Sequence, residues 1–481
     1  MAQKSIKKNY AYNLCYQILT MITSLITAPY LARVLGADGI GTISYTDSVA
    51  AYFVLLATMG ISTYGQREIS YVQDNVKERS LIFWNTKVLE IITSAVSLGA
   101  FVVFSLFQAN KTIYLIFSFN ILAVLADVTW FFQGMEEFGK TVLRNIAVKL
   151  IGIIYIFLFV KTPEDIAIYA FGICFFAFIA NVSLWFYLPK YTDKIHFCDL
   201  HPFKDFKTVL SLFIPTVAIQ VYTVLDKTMI GLITKDSFEN GYYEQAIKIS
   251  KMALMFVISL GTVMIPRIGF HYEQKQHDEV KRLMYRAYRF VWFLGIPLCL
   301  GLIGVASNFV PWFFGPGYEK VIVLLRILAL LILAIGINNV TGMQYLIPTK
   351  KQNTFTLTVI IGAVVNFALN AILIYFLQSI GAALASVAAE TTIAVIQIVI
   401  VRKELNPLII LRESINYLFA GTIMFFGLWK ASGCFEPSVL NTLLLVIIGS
   451  CIYFGTLLII RDKFLISNIK GIMAKLFQRK K

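Results

Sequence analysis

Positively charged residues alternate between the two sides of the apolar segments in this sequence, and this alternation constrains the fold more than any other feature. The 481 residues contain about fourteen apolar spans, each near the roughly 20 residues that cross a bilayer as a helix. The loops and tails on the side of the N terminus hold roughly 29 Lys or Arg, the other loops roughly 6, and the spans roughly 7. Because cytoplasmic loops are enriched in Lys and Arg, both termini are predicted to face the cytoplasm.

The sequence therefore predicts an all-α polytopic membrane protein. The apolar runs lack the strict alternation of barrel strands, so the spans are predicted to be helices. The net charge of +15 is explained as an orientation signal, and the 58% apolar composition argues against a nucleic-acid-binding protein. The predicted spans lie near residues 12–32, 42–61, 85–107, 112–132, 145–160, 166–188, 209–233, 246–265, 287–306, 321–343, 355–377, 380–401, 415–429 and 440–460.

An internal repeat with an offset of about 200 residues indicates how the spans are grouped. Spans two and eight end in Met-Gly and Leu-Gly at 59–60 and 260–261, and spans four and ten end in Gly-Met at 134–135 and 342–343. An offset of six spans preserves orientation, so we expect two parallel six-helix bundles about a pseudo-two-fold axis along the membrane normal, plus two extra C-terminal helices. The predicted domains are a first bundle at 1–189, a cytoplasmic linker at 190–207, a second bundle at 208–402, and the extra helices with a basic cytoplasmic tail at 403–481.

Ionisable residues inside the spans are candidate functional positions, because each costs roughly 2.5–3.5 kcal/mol at the bilayer centre on insertion scales. Lys87 and Glu90, three residues apart on one helix, can pair with each other. Arg144 and Lys149 lie near a cytoplasmic end, where long side chains can extend to the interface. The remaining charges of this kind, apart from those considered below, are Asp47, Asp127 and Glu390.

Two stretches near the N terminus are distinctive: PYLARVLGADGIG at 29–41 and MGISTYGQREI at 59–69. They resemble the bacterial polysaccharide flippases of the Wzx type, in the multidrug/oligosaccharidyl-lipid/polysaccharide exporter superfamily. The motif match covers about the first 80 residues, and the span count and repeat extend it less specifically over the whole chain. The resemblance implies alternating-access translocation of undecaprenyl-diphosphate-linked oligosaccharide, or teichoic acid, repeat units from the inner to the outer leaflet of the bacterial cytoplasmic membrane.

A diphosphate headgroup of that kind needs cations in a wet cavity. Lys248 and Lys251 lie about one turn apart on one face of span eight, at the end where cations are sparse. Arg33 closes span one at the same predicted level, and arginine can hold two phosphate oxygens at once. The alternative is a set of ordinary ion pairs with Asp38, Asp47 or Glu244. The residues predicted to bind the substrate are Arg33, Lys248, Lys251, Lys227 and Arg326.

A coupling-ion site is a second prediction from the resemblance. Asp226 and Lys227 are adjacent on span seven and project roughly 100° apart, so they do not pair with each other. Related lipid-linked peptidoglycan-precursor flippases have a sodium site made of an acid on span seven, two polar groups on span eleven and a hydroxyl on span twelve. The matching position at residue 370 holds an amide where an acid is expected. The alternative explanation for these polar residues is that they form polar contacts between helices. The candidates are Asp226, Asn366, Asn370 and Ser386.

Three functions remain open from the sequence. The first is the flippase. The second is a multidrug or small-molecule cation-coupled exporter of the same superfamily, for which buried acids and twelve spans are usual. The third is a polysaccharide polymerase, which the short outer loops disfavour. We therefore expect a transporter and not an enzyme, without a cofactor or a bound structural metal, driven by sodium, a proton or the membrane potential. The expected partners are the lipid-linked oligosaccharide, membrane lipids, and the polymerase and glycosyltransferases of the same pathway, and no nucleic acid.

Overall fold

The structure is a computed structural model that describes residues 6–193, 195–468 and 470, and it contains helices and no strands among those residues. Side chains are described for these residues except at 6–15, 138, 197, 214–215, 218–219, 221–222 and 262–263. The predicted basic tail at 471–481 lies outside the described residues. The α-helices are α1 Ile6–Thr58, α2 Ile61–Tyr71, α3 Val76–Leu106, α4 Lys111–Leu125, α5 Thr129–Gly134, α6 Phe138–Phe159, α7 Ile166–Leu184, α8 Phe206–Thr234, α9 Ser237–Ile258, α10 Gly261–Glu273, α11 His277–Phe314, α12 Glu319–Leu328, α13 Leu331–Asn338, α14 Gln352–Leu377, α15 Ser379–Val401, α16 Pro407–Ser432 and α17 Val439–Ile459.

Eleven helical segments in the part of the chain that the structure describes are long and apolar enough to cross a membrane. The prediction of an all-α multi-spanning membrane protein is therefore confirmed. One of the eleven segments, beginning at Tyr16, holds two predicted spans, and the helices with predicted spans seven and eight, α8 and α9, are not among the eleven. The number fourteen stays a prediction.

Helix α1 is 53 residues long because two helices meet at a kink within it. Gly36 takes φ 68° and ψ 176° there. This backbone conformation is essentially restricted to glycine, since a Cβ would clash with the neighbouring peptide groups. The predicted spans 12–32 and 42–61 leave residues 33–41 as a loop between them, and this is corrected: the residues on both sides of Gly36 are helical, and one glycine provides the change of direction.

The contacts of the chain form two compact units, Met1–Gly241 and Tyr242–Lys481. In the first unit, α4 packs between α3 and α7, and α1 packs against α3, α6 and α8. Large aromatic side chains fill one end of its core: the ring of Phe83 lies 5.2 Å from that of Phe131 and 5.6 Å from that of Trp130. All three residues are at most 1% exposed, so the short helix α5 is fixed by burial of its aromatic residues.

In the second unit, α11 is the central element and packs against α16, α17, α12 and α13, while α14 and α15 form a close antiparallel pair. One face of α11 is buried, including Met284, Tyr288 and Ile296, each 0% exposed. The Tyr288 hydroxyl lies 2.7 Å from Thr341 Oγ1, on a π-helical segment at Asn339–Leu346 that follows α13. This hydrogen bond ties the irregular segment to the core helix.

A similar succession of short, long and interrupted helices occurs in the two units. A short helix follows a kinked or long one (α2 and α10), a long helix comes next (α3 and α11), and an interrupted helix follows (α4–α5 and α12–α13). Helix α8 contacts α1 and α2 and is grouped with the first unit, whereas the repeat assigns it to the second bundle. The two-bundle layout and the domain boundaries at 189, 207 and 402 stay predictions.

Candidate functional site

The kink of α1 is held by close contact between glycines and backbone. A Cβ on Gly41 would lie 1.7 Å from the Ser237 carbonyl oxygen, and a Cβ on Gly241 would lie 2.0 Å from the Ala37 carbonyl oxygen. The Ser237 hydroxyl also donates to Asp38 Oδ1. The first turn of α9 therefore lies directly against α1 just after the kink, because each of the two helices has a glycine at the contact.

Arg33 lies three residues before this kink and is exposed. Arg33 belongs to the last helical turn before Gly36, at the end of the first half of α1. The side chain of Asp38, one of its predicted ion-pair partners, accepts the hydrogen bond from Ser237. The role of Arg33 in binding an anion stays a prediction.

Lys248 and Lys251 lie on α9, with Lys248 half-buried and Lys251 exposed. Ile247 and Ile249, on either side of Lys248 in sequence, are 7% and 6% exposed, so the helix faces that they occupy pack within the protein. Glu244, four residues before Lys248 and half-buried, begins the same face. The two lysines therefore share a helix face that is partly open, as the spacing predicts.

Helix α8 carries Asp226 and Lys227, both half-buried. One residue further, the Thr228 hydroxyl donates to Ser48 Oγ at 3.0 Å, and both residues are buried. One turn further still, a Cβ on Gly231 would lie 2.2 Å from the ring of Tyr45, so α8 and the second half of α1 are in close contact. This contact fixes the rotation of α8 and hence the directions in which Asp226 and Lys227 project.

The other predicted members of the coupling-ion site lie in the second unit. Asn370 Nδ2 donates to Asn366 Oδ1 at 3.1 Å on α14, and both residues are at most 1% exposed. The Ser386 hydroxyl, on α15, donates to the Ala382 carbonyl oxygen at 3.0 Å and lies 3.1 Å from the Tyr243 hydroxyl. Two amides and a hydroxyl are thus buried in one unit, and their relation to Asp226 stays a prediction.

The predicted pairing of Lys87 with Glu90 is confirmed. Lys87 Nζ lies 2.7 Å from Glu90 Oε2, and both residues are 0% exposed. The ammonium also donates to the Asp127 carbonyl oxygen at 2.7 Å, at the interruption between α4 and α5. The sequence did not indicate this second contact, because it joins residues forty positions apart.

The interruption between α4 and α5 is completed by side chains from other helices. Trp185 Nε1 donates to the Ala126 carbonyl oxygen at 2.8 Å, and Asn181 Nδ2 donates to the Ala123 carbonyl oxygen at 2.7 Å. The Asp127 carboxylate accepts from the Thr129 N–H at 2.8 Å and so caps the start of α5. Because a helix end at membrane depth must have its peptide groups hydrogen-bonded, these residues stabilise the break. The pattern Asp-Val-Thr is the one local signal for it.

The remaining predicted positions have varied surroundings. Arg144 is half-buried and donates to the Ala180 carbonyl oxygen of α7 at 3.0 Å, and its extension to the interface stays a prediction. Arg326 Nη2 donates to Ser307 Oγ at 2.7 Å. The Glu390 carboxylate accepts from Asn338 Nδ2. Lys149 is half-buried and Asp47 is exposed. No group of three or more His, Cys, Asp or Glu suited to a metal ion occurs among the described residues.

Comparison with known protein families places these observations in context. Residues 6–270, more than half of the chain, match the family described as "Polysaccharide biosynthesis protein". The chain is 24% identical over 411 residues to a protein of Escherichia coli (strain K12) named "Putative O-antigen transporter", covering 83% of this chain and 97% of that protein. A protein of Shigella dysenteriae with the same name is 22% identical over 397 residues, covering 81% of this chain and 98% of that protein.

Solved structures share the fold. "Lipid II flippase MurJ, inward closed conformation" matches with a TM-score of 0.71 at 19% identity, covering 93% of this chain and 99% of that chain. An inward-facing multidrug resistance transporter of the MATE family, in the MOP superfamily, matches with a TM-score of 0.59 at 13% identity, covering 86% of this chain and 99% of that chain. At these identities the similarity concerns the fold.

Proposed function

Because the chain belongs to the family of polysaccharide biosynthesis proteins, we propose that it is a flippase for undecaprenyl-diphosphate-linked oligosaccharide or teichoic acid repeat units. The family match over residues 6–270 carries the proposal, since it covers both distinctive N-terminal stretches and the two lysines of α9. The relatives named as O-antigen transporters and the fold shared with a lipid II flippase support a lipid-linked sugar as cargo. The direction would be from the inner to the outer leaflet of the bacterial cytoplasmic membrane, with both chain termini in the cytoplasm.

Such a protein accelerates the movement of a headgroup and changes no covalent bond in it, so we regard the chain as a transporter and not as an enzyme. The barrier is the transfer of a diphosphate and several sugars through hydrocarbon. Cations that replace the hydration of the diphosphate lower this barrier, and they act most strongly where water is scarce. The proposed diphosphate-binding residues are Arg33, Lys248, Lys251, Lys227 and Arg326.

Of these residues, Arg33, Lys248 and Lys251 are the best placed on their own helices. Arg33 is exposed beside the kink at Gly36, and Lys248 and Lys251 share one face of α9. Both arrangements suit an anion that approaches the helix from the side. The Arg326 guanidinium donates to Ser307, so an anion bound there would share or replace this contact. Loss of one charge-assisted contact costs roughly 1.5–3 kcal/mol, which is about tenfold or more in affinity.

Coupling to an ion gradient would give the transport its direction. Outward movement of an anion is favoured by an inside-negative potential, by about 2.3 kcal/mol per charge per 100 mV. The return of the empty carrier requires a separate bias, and a cation that binds at Asp226 in one conformation supplies it. The neutral oxygens of Asn366, Asn370 and Ser386 suit sodium or a proton relay, and they are the proposed partners of Asp226.

The test is reconstitution of the purified protein into liposomes that contain a fluorescent undecaprenyl-diphosphate-linked oligosaccharide. Outward exposure is scored with a membrane-impermeant reagent, and headgroup binding is measured separately. We expect transport by the wild type, and at least about tenfold weaker binding for Arg33→Ala and for the pair Lys248→Ala, Lys251→Ala. The matched control is the pair Lys235→Ala, Lys430→Ala, two exposed lysines on the same predicted side.

The control variant should bind and transport within about twofold of the wild type, because exposed surface charges contribute little. Equal loss in the control would show that only overall charge matters. Transport of cationic dyes by the wild type without movement of the lipid-linked sugar would refute the flippase and favour the small-molecule exporter.

A further inference from the structure

A basic cavity of about 820 Å³ lies in the second unit, and none of the candidate site residues considered above lines it. It is formed where α10 ends, α11 and α16 begin, and the chain leaves α17. Its lining contains four arginines and one carboxylate, together with polar and aromatic groups: Arg267, Arg282, Arg286, Arg289, Glu413, Tyr285, Phe464, Ser467 and Asn468.

The arginines of α11 are arranged by helical spacing. Arg282, Arg286 and Arg289 occupy positions i, i+4 and i+7, so all three project from one face over about two turns. The opposite face of the same turns is buried through Met284 and Ala287, each 0% exposed. The helix therefore has one packed face and one face with three guanidinium groups.

Glu413 offsets one of these charges. Arg289 Nε donates to Glu413 Oε2 at 2.8 Å, and its Nη2 contacts the other carboxylate oxygen, so the pair is bidentate. Arg282 pairs with Glu279 at 2.8 Å, but both side chains are well exposed, at 75% and 40%. Such a surface pair is weak and can be exchanged for another anion.

The position of the cavity at the ends of membrane-spanning helices restricts the class of anion. Apolar and aromatic side chains, Leu283, Tyr285 and Phe464, line the cavity together with the arginines. Apolar side chains next to guanidinium groups suit a molecule with an acyl or prenyl tail and an anionic head. The charge alternation of the loops assigns this end to the cytoplasmic face, where anionic lipid headgroups collect.

We propose that this cavity binds a membrane lipid with two closely spaced phosphate groups, held by Arg267, Arg282 and Arg286. Guanidinium groups match phosphate oxygens in bidentate geometry, and three arginines beyond the Arg289–Glu413 pair suit two phosphate charges. Cardiolipin, with two phosphodiesters, and undecaprenyl diphosphate both have this chemistry. The inference does not rest on the proposed function, since either lipid can bind here whether or not the chain flips it.

The test measures lipid retention by native mass spectrometry and affinity in phosphatidylcholine nanodiscs with the full-length protein. One arm contains cardiolipin, a second contains undecaprenyl diphosphate, and a third contains phosphatidylcholine alone. We expect the wild type to bind at least one of the first two, and Arg282→Gln with Arg286→Gln to weaken that binding at least about tenfold. Arg282→Lys with Arg286→Lys, which keeps the charges but loses the planar forks, should recover part of the affinity.

The matched control is Arg402→Gln with Lys403→Gln, two exposed cations after α15 that do not line the cavity. It removes the same charge and should bind within about twofold of the wild type. The arm that shows arginine-dependent binding identifies the lipid. Equal loss in the control, or unchanged binding of both lipids by the glutamine pair, would overturn the proposal. Circular dichroism and size-exclusion profiles verify that each variant is folded.

Discussion

Removal of one member of the Lys87–Glu90 pair should destabilise the protein far more than removal of both. At the 2.7 Å between Nζ and Oε2, the gross attraction is about 6 kcal/mol for an effective dielectric constant of about 20. Most of it offsets the desolvation of two fully buried charges. Lys87→Met deletes the attraction and leaves the carboxylate desolvated, so we expect a loss of about 3–5 kcal/mol in the free energy of unfolding.

The double variant Lys87→Met with Glu90→Leu replaces the pair by apolar groups of similar volume. It should be destabilised less than Lys87→Met, by about 1–3 kcal/mol, since neither charge remains to be solvated and the main loss is the hydrogen bond to the Asp127 carbonyl oxygen. The wild type, the single variants Lys87→Met and Glu90→Leu, and the double variant can be unfolded in mixed detergent micelles and followed by tryptophan fluorescence. Lys77→Met, at an exposed position of α3, is the control and should change stability by less than about 0.5 kcal/mol. Additive losses in the double variant would refute the reasoning, because they would mean that the two side chains act independently.

Three further outcomes are expected. Gly241→Ala should lower the free energy of unfolding by roughly 1–3 kcal/mol, because the new Cβ would lie 2.0 Å from the Ala37 carbonyl oxygen. Gly99→Ala, whose Cβ would have nothing within 4 Å, should leave the stability unchanged, and thermal unfolding in detergent compares the two variants. Asp226→Asn should slow flipping under sodium and pH gradients without weakening headgroup binding, and normal flipping under every gradient would remove its coupling role. In intact cells, an impermeant thiol reagent should label a cysteine placed at Asn110 but not one at Lys204; the reverse pattern would invert the predicted topology.

Features that depend on local sequence could be predicted. The apolar spans follow from the length of hydrophobic runs, and they coincide with helices because a peptide in hydrocarbon must satisfy its own hydrogen bonds. The pairing of Lys87 with Glu90 follows from helical spacing alone. The kink at Gly36 was not predicted, because a loop and a kink within one continuous helix place the same residues in the same order and hydropathy does not separate them.

Features that join distant segments could not be predicted. The arginine stripe of α11 is evident from its spacing, but the cavity exists only because Glu413 and Phe464 come from helices more than a hundred residues further along the chain. The contact of Trp185 with the Ala126 carbonyl oxygen is similar, since nothing near residue 185 indicates that a helix is interrupted at residue 126. Such contacts depend on tertiary packing between segments far apart in the chain, and no local sequence pattern marks them.

The kink at Gly36 has an electrostatic consequence. Each helix has a partial negative charge at its C terminus and a partial positive charge at its N terminus, and the two halves of α1 place these opposite poles on either side of one glycine. Arg33 lies in the last turn of the first half and Asp38 in the first turn of the second, so each side chain opposes the pole beside it. This arrangement contributes typically 0.3–1 kcal/mol per charge. Arg33→Ala therefore removes two effects at once, whereas Arg33→Lys preserves the helix-end charge and loses only the forked geometry for phosphate.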